Sequence, residues 1–318
     1  MPIRPHVPPE LLVGPITVAS ARRAGVTADM LRGRSWTRLL RGVYCHASMP
    51  VDDDVRLAAV KLVLPADAVA TDLLAAWAHG IWQPAPGAPL PLQWAVERGR
   101  ARPGPSLDSS RRLVLQASDV VTARGLRCTS PMRTAFQLMR RACVVEAVVV
   151  ADAFARAGLL ELPWFYAYVD GHRRWPGVDE VRRCLEHASS RAASPGESRL
   201  RMVAVLGGLP EPYVNLPYYR GDSLLAVLDL YLVGRRDAAV EYDGVYHEEA
   251  LQRHADNRRE NRIVLSNQVP VLRYDRFTVA RHSARERALH EMAQAIGLEA
   301  PNTLRSIWFH DPKRPLRW

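Results

Sequence analysis

Hydrophobic and polar residues alternate with a period of two along residues 228–243, on both sides of a turn that contains Gly234. This period is typical of a half-buried β-hairpin. If Gly234, Arg235 and Arg236 form a three-residue loop, Asp229 lies directly opposite Glu241. The apolar positions are Leu228, Leu230, Leu232, Val240 and Tyr242, and the polar positions between them include Asp229, Glu241 and Asp243.

The two opposed carboxylates predict a divalent metal site. Cross-strand partners have Cβ atoms roughly 5 Å apart, so Asp229 and Glu241 repel each other unless a cation lies between them. Oxygen ligands suit a hard ion such as Mg²⁺. The alternative is a solvated strand face, because polar faces are common in antiparallel sheets.

An imidazole follows these acids directly, at His247. Its ordinary pKa lies near neutrality, which suits a general acid or base. The alternative is a polar residue that opens the next helix.

The pattern D-x11-E-x-D-G-x2-H, formed by Asp229, Glu241, Asp243 and His247, resembles the domain-of-unknown-function family 559. That family belongs to the PD-(D/E)xK nuclease superfamily and is related to the very-short-patch mismatch repair endonucleases. The resemblance covers about 194–298, and several further positions match it. These are Glu197 on a leading helix, Asp256 and Arg259 on a later helix, and the strand VPVLRYD at 269–275.

The resemblance implies a restriction-endonuclease-like αβββαβ domain over 194–300 and hydrolysis of phosphodiester bonds in DNA. Asp229, Glu241 and the Tyr242 backbone carbonyl would hold Mg²⁺ or Mn²⁺, and His247 would transfer a proton. Asp243 stands where the superfamily usually has a lysine. We expect His247 or Arg259 to supply that charge, although Arg259 also fits a solvated helix face with ion pairs to Asp256.

Glu197 has two interpretations. The segment Ser194-Pro195-Gly196-Glu197 fits a helix capping box, with Ser194 as the N-cap and Glu197 at the third helical position. The resemblance instead assigns a catalytic role to Glu197. The two roles are compatible, because a carboxylate in the first turn of a helix can also face a metal.

Residues 15–46 have the pattern of a small DNA-binding module. A short helix, a turn at Gly25, a second helix that opens at Thr27 and a strand pair bent at Gly42 predict a winged helix over 1–50. The segment resembles the N-terminal domain of AbiEi-type antitoxins, whose wing commonly closes with the sequence seen here as Arg41-Gly42-Val43-Tyr44. The alternative is a helical cap with basic side chains in solvent. The residues expected to contact phosphate are Arg32, Arg34, Arg38 and Arg41.

The remaining segments carry no chemical motif. We expect a mixed α/β region over 51–160, with helices at 52–64, 70–80, 131–141 and 144–157 and strands at 92–96 and 112–116. Residues 161–193 are expected to be a linker because prolines interrupt them. The tail at 301–318 is expected to pack on the core. The chain as a whole is therefore expected to be an α/β (α+β) protein of several domains.

Composition favours a polyanionic partner. The 318 residues include 43 Lys and Arg against 33 Asp and Glu, a net charge of +10. Nearly all the basic residues are arginines, which suit phosphate binding, although arginine richness is also typical of GC-rich genomes. DNA is the expected partner, RNA stays open, and a cognate toxin or a second copy of the chain would be the protein partner.

The four cysteines are scattered without a C-x2-C pair, which predicts free thiols and a reducing cytoplasm. No apolar run approaches the length that spans a membrane, so we expect no membrane partner. The leading interpretation is a metal-dependent endonuclease coupled to a DNA-binding module. The rival is a non-catalytic DNA-binding regulator of the antitoxin kind, built on a degenerate nuclease fold.

Overall fold

The computed structural model describes residues 7–85, 87–97, 110–244, 269–311 and 313. Within these ranges the chain is a mixed α/β protein with twelve α-helices and three sheets. It divides into two compact units, 1–134 and 135–318. The boundary lies inside one helix, α5 (Pro131–Met139).

The first unit begins with a three-stranded sheet and two short helices. Its elements are β1 (Ile16–Thr17), α1 (Val18–Arg23), α2 (Ala28–Leu31), β2 (Trp36–Leu40) and β3 (Val43–His46). Thr17 caps α1 and Thr27 caps α2, each by accepting a hydrogen bond from a backbone N–H three residues later. The predicted helix pair and bent strand pair over 15–46 are confirmed, with Gly42 at a φ of +79° in the bend.

The rest of the first unit is a five-stranded sheet with helices beside it. Its order is β6-β5-β4-β8-β7. The elements are α3 (Asp53–Lys61), β4 (Val69–Ala70), α4 (Asp72–Ala78), β5 (Trp94–Glu97), β6 (Ser110–Leu113), β7 (Val120–Ala123) and β8 (Leu126–Thr129). The helices and strands predicted for this region are confirmed, with ends shifted by a few residues.

The second unit opens with a helical layer. Its helices are α6 (Val144–Arg156), α7 (Leu162–Gly171), α8 (Val178–Leu185) and α9 (Pro195–Leu206). The predicted linker at 161–193 therefore holds two helices, and Phe165, Val169 and Val181 are fully buried within it. Pro163 does not break α7, because it lies at the start of the helix, where its missing N–H has no intrahelical partner to lose.

The sheet of the second unit has four strands in the order β12-β11-β10-β9. The strands are β9 (Tyr213–Arg220), β10 (Ser223–Leu232), β11 (Ala238–Asp243) and β12 (Val271–Asp275), followed by α10 (Arg276–Ala280), α11 (His282–Ala295) and α12 (Ser306–Phe309). The first three strands are antiparallel, and β12 runs parallel to β11. A helix predicted at 248–265 lies outside the described residues.

One face of this sheet packs on α9 and α11. Leu200 and Val203 from α9 meet Leu230 and Val240 from the hairpin and Leu289 from α11 in one buried cluster. The helix predicted at 277–297 is divided into α10 and α11, because Arg281 adopts an extended conformation between them. The tail packs on the same cluster through Trp308 and Phe309, as predicted.

All four cysteines are buried thiols outside any disulfide bond. Across the described residues, no helix combines the length and the apolar character needed to cross a bilayer.

Candidate functional site

The central feature of the second unit is a fork between β10 and β11. Backbone pairing between these strands runs from Leu232–Ala238 to Leu230–Val240 and ends there. Beyond that point β10 continues alongside β9, while β11 continues to Asp243 alongside β12. The strand register is the predicted one, although the loop between the strands covers 233–237 and is two residues longer than expected.

Asp229 lies at the opening of the fork. Its Oδ2 atom accepts a hydrogen bond of 2.8 Å from the backbone N–H of Tyr242. Continued by one step, the register would bring Asp229 to the level of Glu241, the predicted partner, although the observed pairing ends one residue earlier. The carboxylate therefore bridges two strands at the point where their own backbone pairing has stopped.

The leucines of β10 on the two sides of Asp229 belong to different buried clusters. Leu230 belongs to the cluster that packs on α9 and α11. Leu228, only two residues earlier, belongs to a second cluster with Ala239 and Val269. Leu228 and Leu230 are thus both buried, but in different clusters on the two sides of Asp229.

Glu241 and Asp243 lie on either side of Tyr242 along β11, and all three residues are partly exposed. The partner position of Glu241 on β12 is Arg273, and that of Asp243 is Asp275. The first of these pairs thus joins an acid and a guanidinium, and the second joins two acids.

The Asp275 side chain caps the N-terminus of α10. Its Oδ1 accepts hydrogen bonds from the backbone N–H groups of Phe277 and Thr278, both at 3.0 Å, and so caps α10. The hydrogen bond from the Thr278 N–H is the main reason that the pKa of Asp275 is held below its ordinary value.

Tyr242 joins the fork to the start of α9. A Cβ atom added to Gly196 would overlap the Tyr242 ring, so only glycine permits this contact. Burial raises the pKa of the Tyr242 phenol, and the nearby positive charge of Arg199 opposes that rise. The first turn of α9 and the end of β11 are therefore in direct contact.

Glu197 is buried beside this contact, with 7% of its surface exposed. Ser194 caps the helix through a 3.1 Å hydrogen bond from the Glu197 N–H to its hydroxyl. The predicted reciprocal bond differs, because the Glu197 carboxylate accepts from the N–H of Ala193 at 2.8 Å and from the Asn215 amide at 3.0 Å. Glu197 thus ties the helix start to β9.

A second polar cluster lies between α6 and α9, and we call it the α6–α9 polar layer. Its members are Glu146, Asp152, Ser198, Arg199 and Arg201. Arg199 binds both oxygens of Glu146, at 2.6 and 2.8 Å. Asp152 accepts from the Ser198 hydroxyl at 2.7 Å and from Arg201 at 3.1 Å.

The acids of this layer are almost fully enclosed. Asp152 and Arg201 are each 1% exposed, and burial raises the pKa of Asp152 while the Arg201 charge opposes the rise. The sequence did not identify this layer, although two acids inside the otherwise apolar α6 could have indicated it.

The donor set at the fork has the chemistry that a hard divalent ion requires. Asp229, Glu241 and the Tyr242 carbonyl offer only oxygen atoms. Within the part of the chain that the structure describes, no three Asp, Glu, His or Cys side chains gather closely enough to form a metal-binding group. His247, Asp256 and Arg259 fall outside that part.

The predicted phosphate-binding arginines of the first unit are all exposed. Arg32 forms an ion pair with Asp29, and Arg38 donates to the Leu40 carbonyl at 3.4 Å. Arg32 and Arg38 also line a shallow cleft of about 580 Å³ together with Trp36 and Tyr44. Arg34 lies in the turn between α2 and β2 of the same small module, and Arg41 lies in the bend of the strand pair.

Comparisons with family models, with curated proteins and with solved structures found no match for this chain.

Proposed function

We propose that the second unit is a metal-dependent nuclease domain of the PD-(D/E)xK type that hydrolyses phosphodiester bonds in DNA. The observation that carries the proposal is the Asp229 carboxylate, held in the fork by the Tyr242 N–H at the level of Glu241. Two carboxylates at one level of neighbouring strands favour a cation between them.

The order of elements supports this assignment. Helix α9 precedes three antiparallel strands, and β12 then returns parallel to β11 and is followed by helices. The described elements fit the αβββαβ order expected of a restriction-endonuclease-like domain, whose second helix would fall outside the described residues. Fold order alone does not establish catalysis, so the proposal rests on the fork.

In this proposal Asp229, Glu241 and the Tyr242 carbonyl hold Mg²⁺ or Mn²⁺. When bound, such an ion polarises a phosphodiester and lowers the pKa of a water molecule. The Tyr242 N–H fixes the orientation of Asp229. Arg273, at the partner position of Glu241, brings a guanidinium suited to phosphate oxygens. His247 would move a proton, and Asp243 and Glu197 would act at the margin of the site.

The first unit would then deliver the protein to DNA. We assign residues 15–46 as a winged-helix module, in which α2 approaches the major groove and the β2–β3 bend contacts the backbone. Arg34 and Arg41 are exposed and suited to phosphate contact.

The experiment is incubation with single- and double-stranded DNA and RNA, with and without Mn²⁺. Wild-type protein is expected to cut DNA only with the cation, and Asp229→Ala and Glu241→Ala are expected to abolish cutting. Asp222→Ala is the matched control, because Asp222 is an exposed acid in the turn between β9 and β10. Equal cutting by all four proteins, or no cutting by the wild type, would contradict the proposal.

A second candidate function is a DNA-binding regulator of the antitoxin kind, with a cognate toxin or a second copy of the chain as protein partner. The exposed arginines around the β2–β3 bend favour it, because they need no catalytic site to act. This candidate predicts tight, salt-sensitive binding to DNA without cleavage. Replacing Arg34 and Arg41 with Ala would lower both the affinity and its dependence on salt.

A further inference from the structure

Asn215 interrupts strand β9 with an unusual backbone conformation. Its φ is +46°, in the left-handed region that costs most L-residues free energy and that asparagine tolerates better than most. The residue nevertheless lies between Val214 and Leu216, which both pair normally with β10. A single left-handed residue between two paired positions redirects its own side chain out of the strand alternation.

The redirected side chain reaches the start of α9. Its Nδ2 donates to the Arg191 carbonyl at 2.7 Å and to the Glu197 carboxylate at 3.0 Å. Both partners are acceptors, so the NH₂ group of the Asn215 side chain bonds them and the amide oxygen does not. Asn215 therefore fastens β9 to the residues before and within the first turn of the helix.

Asn215 lies beside Asp229 in the sheet. Leu216 pairs with Leu228 and Val214 pairs with Leu230, which places Asn215 and Asp229 at one level of neighbouring strands. On the two sides of this level, Leu228 and Leu230 of β10 lie in different buried clusters. The left-handed conformation of Asn215 in β9 and the change of cluster at Asp229 in β10 thus lie at one level of the sheet.

Three contacts and one pair of neighbouring strand positions link these residues in a ring. Glu197 bonds Asn215, Asn215 lies beside Asp229, and Asp229 accepts from the Tyr242 N–H. The Tyr242 ring then contacts Gly196, the residue before Glu197.

We propose that Asn215 is a positioning residue: its left-handed conformation and its bond to Glu197 hold β9 so that Asp229 reaches the Tyr242 N–H and faces Glu241. The part of this inference that concerns a cation rests on the proposed nuclease function. The part that concerns the orientation of Asp229 does not.

The test is Asn215→Gly, measured in two ways. Glycine keeps the left-handed conformation at no steric cost and removes only the amide. Hydrogen exchange of the Tyr242 amide, measured without metal, is expected to become faster by roughly fivefold or more as the Asp229 bond weakens. The dissociation constant for Mn²⁺ is expected to rise by about 10-fold to 100-fold, as for other residues that orient metal ligands.

Two further variants make the result decisive. Asn302→Gly is the matched control, because the Asn302 amide donates to the Leu206 carbonyl at the opposite end of α9, at 3.4 Å. It should leave both readouts unchanged. If Asn215→Gly does not fold, Asn215→Asp preserves the tolerance for positive φ but faces Glu197 with a second carboxylate, and it should produce the same changes.

The outcomes separate this inference from the proposed function. Wild-type Tyr242 exchange in Asn215→Gly and in Asn215→Asp would overturn the positioning role, whatever the metal does. If the wild type binds no Mn²⁺, the proposed nuclease function fails, and the exchange rate alone then decides the role of Asn215. Faster exchange together with weaker Mn²⁺ binding supports both.

Discussion

The α6–α9 polar layer and the β10–β11 fork both contain carboxylates of the second unit, but these carboxylates differ in their partners and in their exposure. In the layer, Glu146 and Asp152 each bind an arginine directly and are nearly inaccessible. At the fork, Asp229 accepts from a backbone N–H, and Asp229, Glu241 and Asp243 are all partly exposed on neighbouring strands.

The difference separates structural acids from candidate functional acids. A buried acid that meets an arginine is compensated within the protein and is costly to disturb. The acids at the fork are partly exposed, so a ligand in solvent can approach them. Helix α9 contributes to both regions, through Arg199 and Arg201 to the layer and through Gly196 and Glu197 to the fork.

The largest expected effect on stability belongs to the layer. Arg201→Met would leave Asp152 buried without its cation and should lower the free energy of unfolding by about 3–5 kcal/mol. Urea unfolding measures this value. The control is Arg182→Met, since Arg182 pairs with Asp170 and Asp179 near the surface and should contribute less than about 1 kcal/mol. Equal losses in the two variants would remove the distinction between the two kinds of acid.

A smaller effect is expected where the helix meets the fork. Gly196→Ala would push a methyl group into the Tyr242 ring and should cost about 1–3 kcal/mol of stability. Gly171→Ala is the control, because a Cβ atom there meets nothing within 4 Å. Thermal denaturation of both variants tests the contact. A Gly196→Ala protein as stable as the control would mean that α9 and Tyr242 do not touch.

A loss of about 1 kcal/mol is expected from Asp275→Ala, the usual effect of removing a helix N-cap. The folded pKa of Asp275 is lowered, so its contribution is present above the unfolded-state pKa of about 3.9 and is lost as pH falls through the folded pKa. Melting temperatures between pH 6 and pH 3 should therefore converge for wild type and Asp275→Asn at the acid end. Parallel curves would show that Asp275 is not charged in its cap.

The smallest effect on stability is expected from Asp229→Asn. The amide oxygen still accepts from the Tyr242 N–H, so the free energy of unfolding should change by less than about 1 kcal/mol. Urea unfolding beside Arg201→Met provides the comparison. A loss as large as that of Arg201→Met would place Asp229 among the structural acids.

The hairpin could be predicted because its period is local. Alternation with period two fixes which residues share a face, and the turn fixes the register, so the pairing of Leu230 with Val240 follows from the local sequence. The caps at Ser194 and Thr27 were predictable for the same reason, since each depends on a few adjacent residues.

The missed features depend on contacts between distant segments. Prolines and polar residues predict a linker at 161–193, because they outweigh the local signal of the buried positions Phe165, Val169 and Val181 in helices α7 and α8. The bond from Asn215 to Glu197 joins residues 18 apart, and nothing in the local sequence indicates a left-handed asparagine within a strand. The α6–α9 polar layer likewise exists only once the two helices have packed.

The most direct test of the difference between the two regions is a calorimetric titration of Mn²⁺ into three proteins: wild type, Asp229→Asn and Asp152→Asn. We predict that wild type and Asp152→Asn bind the ion with the same stoichiometry and similar affinity, while binding to Asp229→Asn is lost. Unchanged binding in Asp229→Asn, or no binding in the wild type, would contradict the assignment of the fork as a cation site.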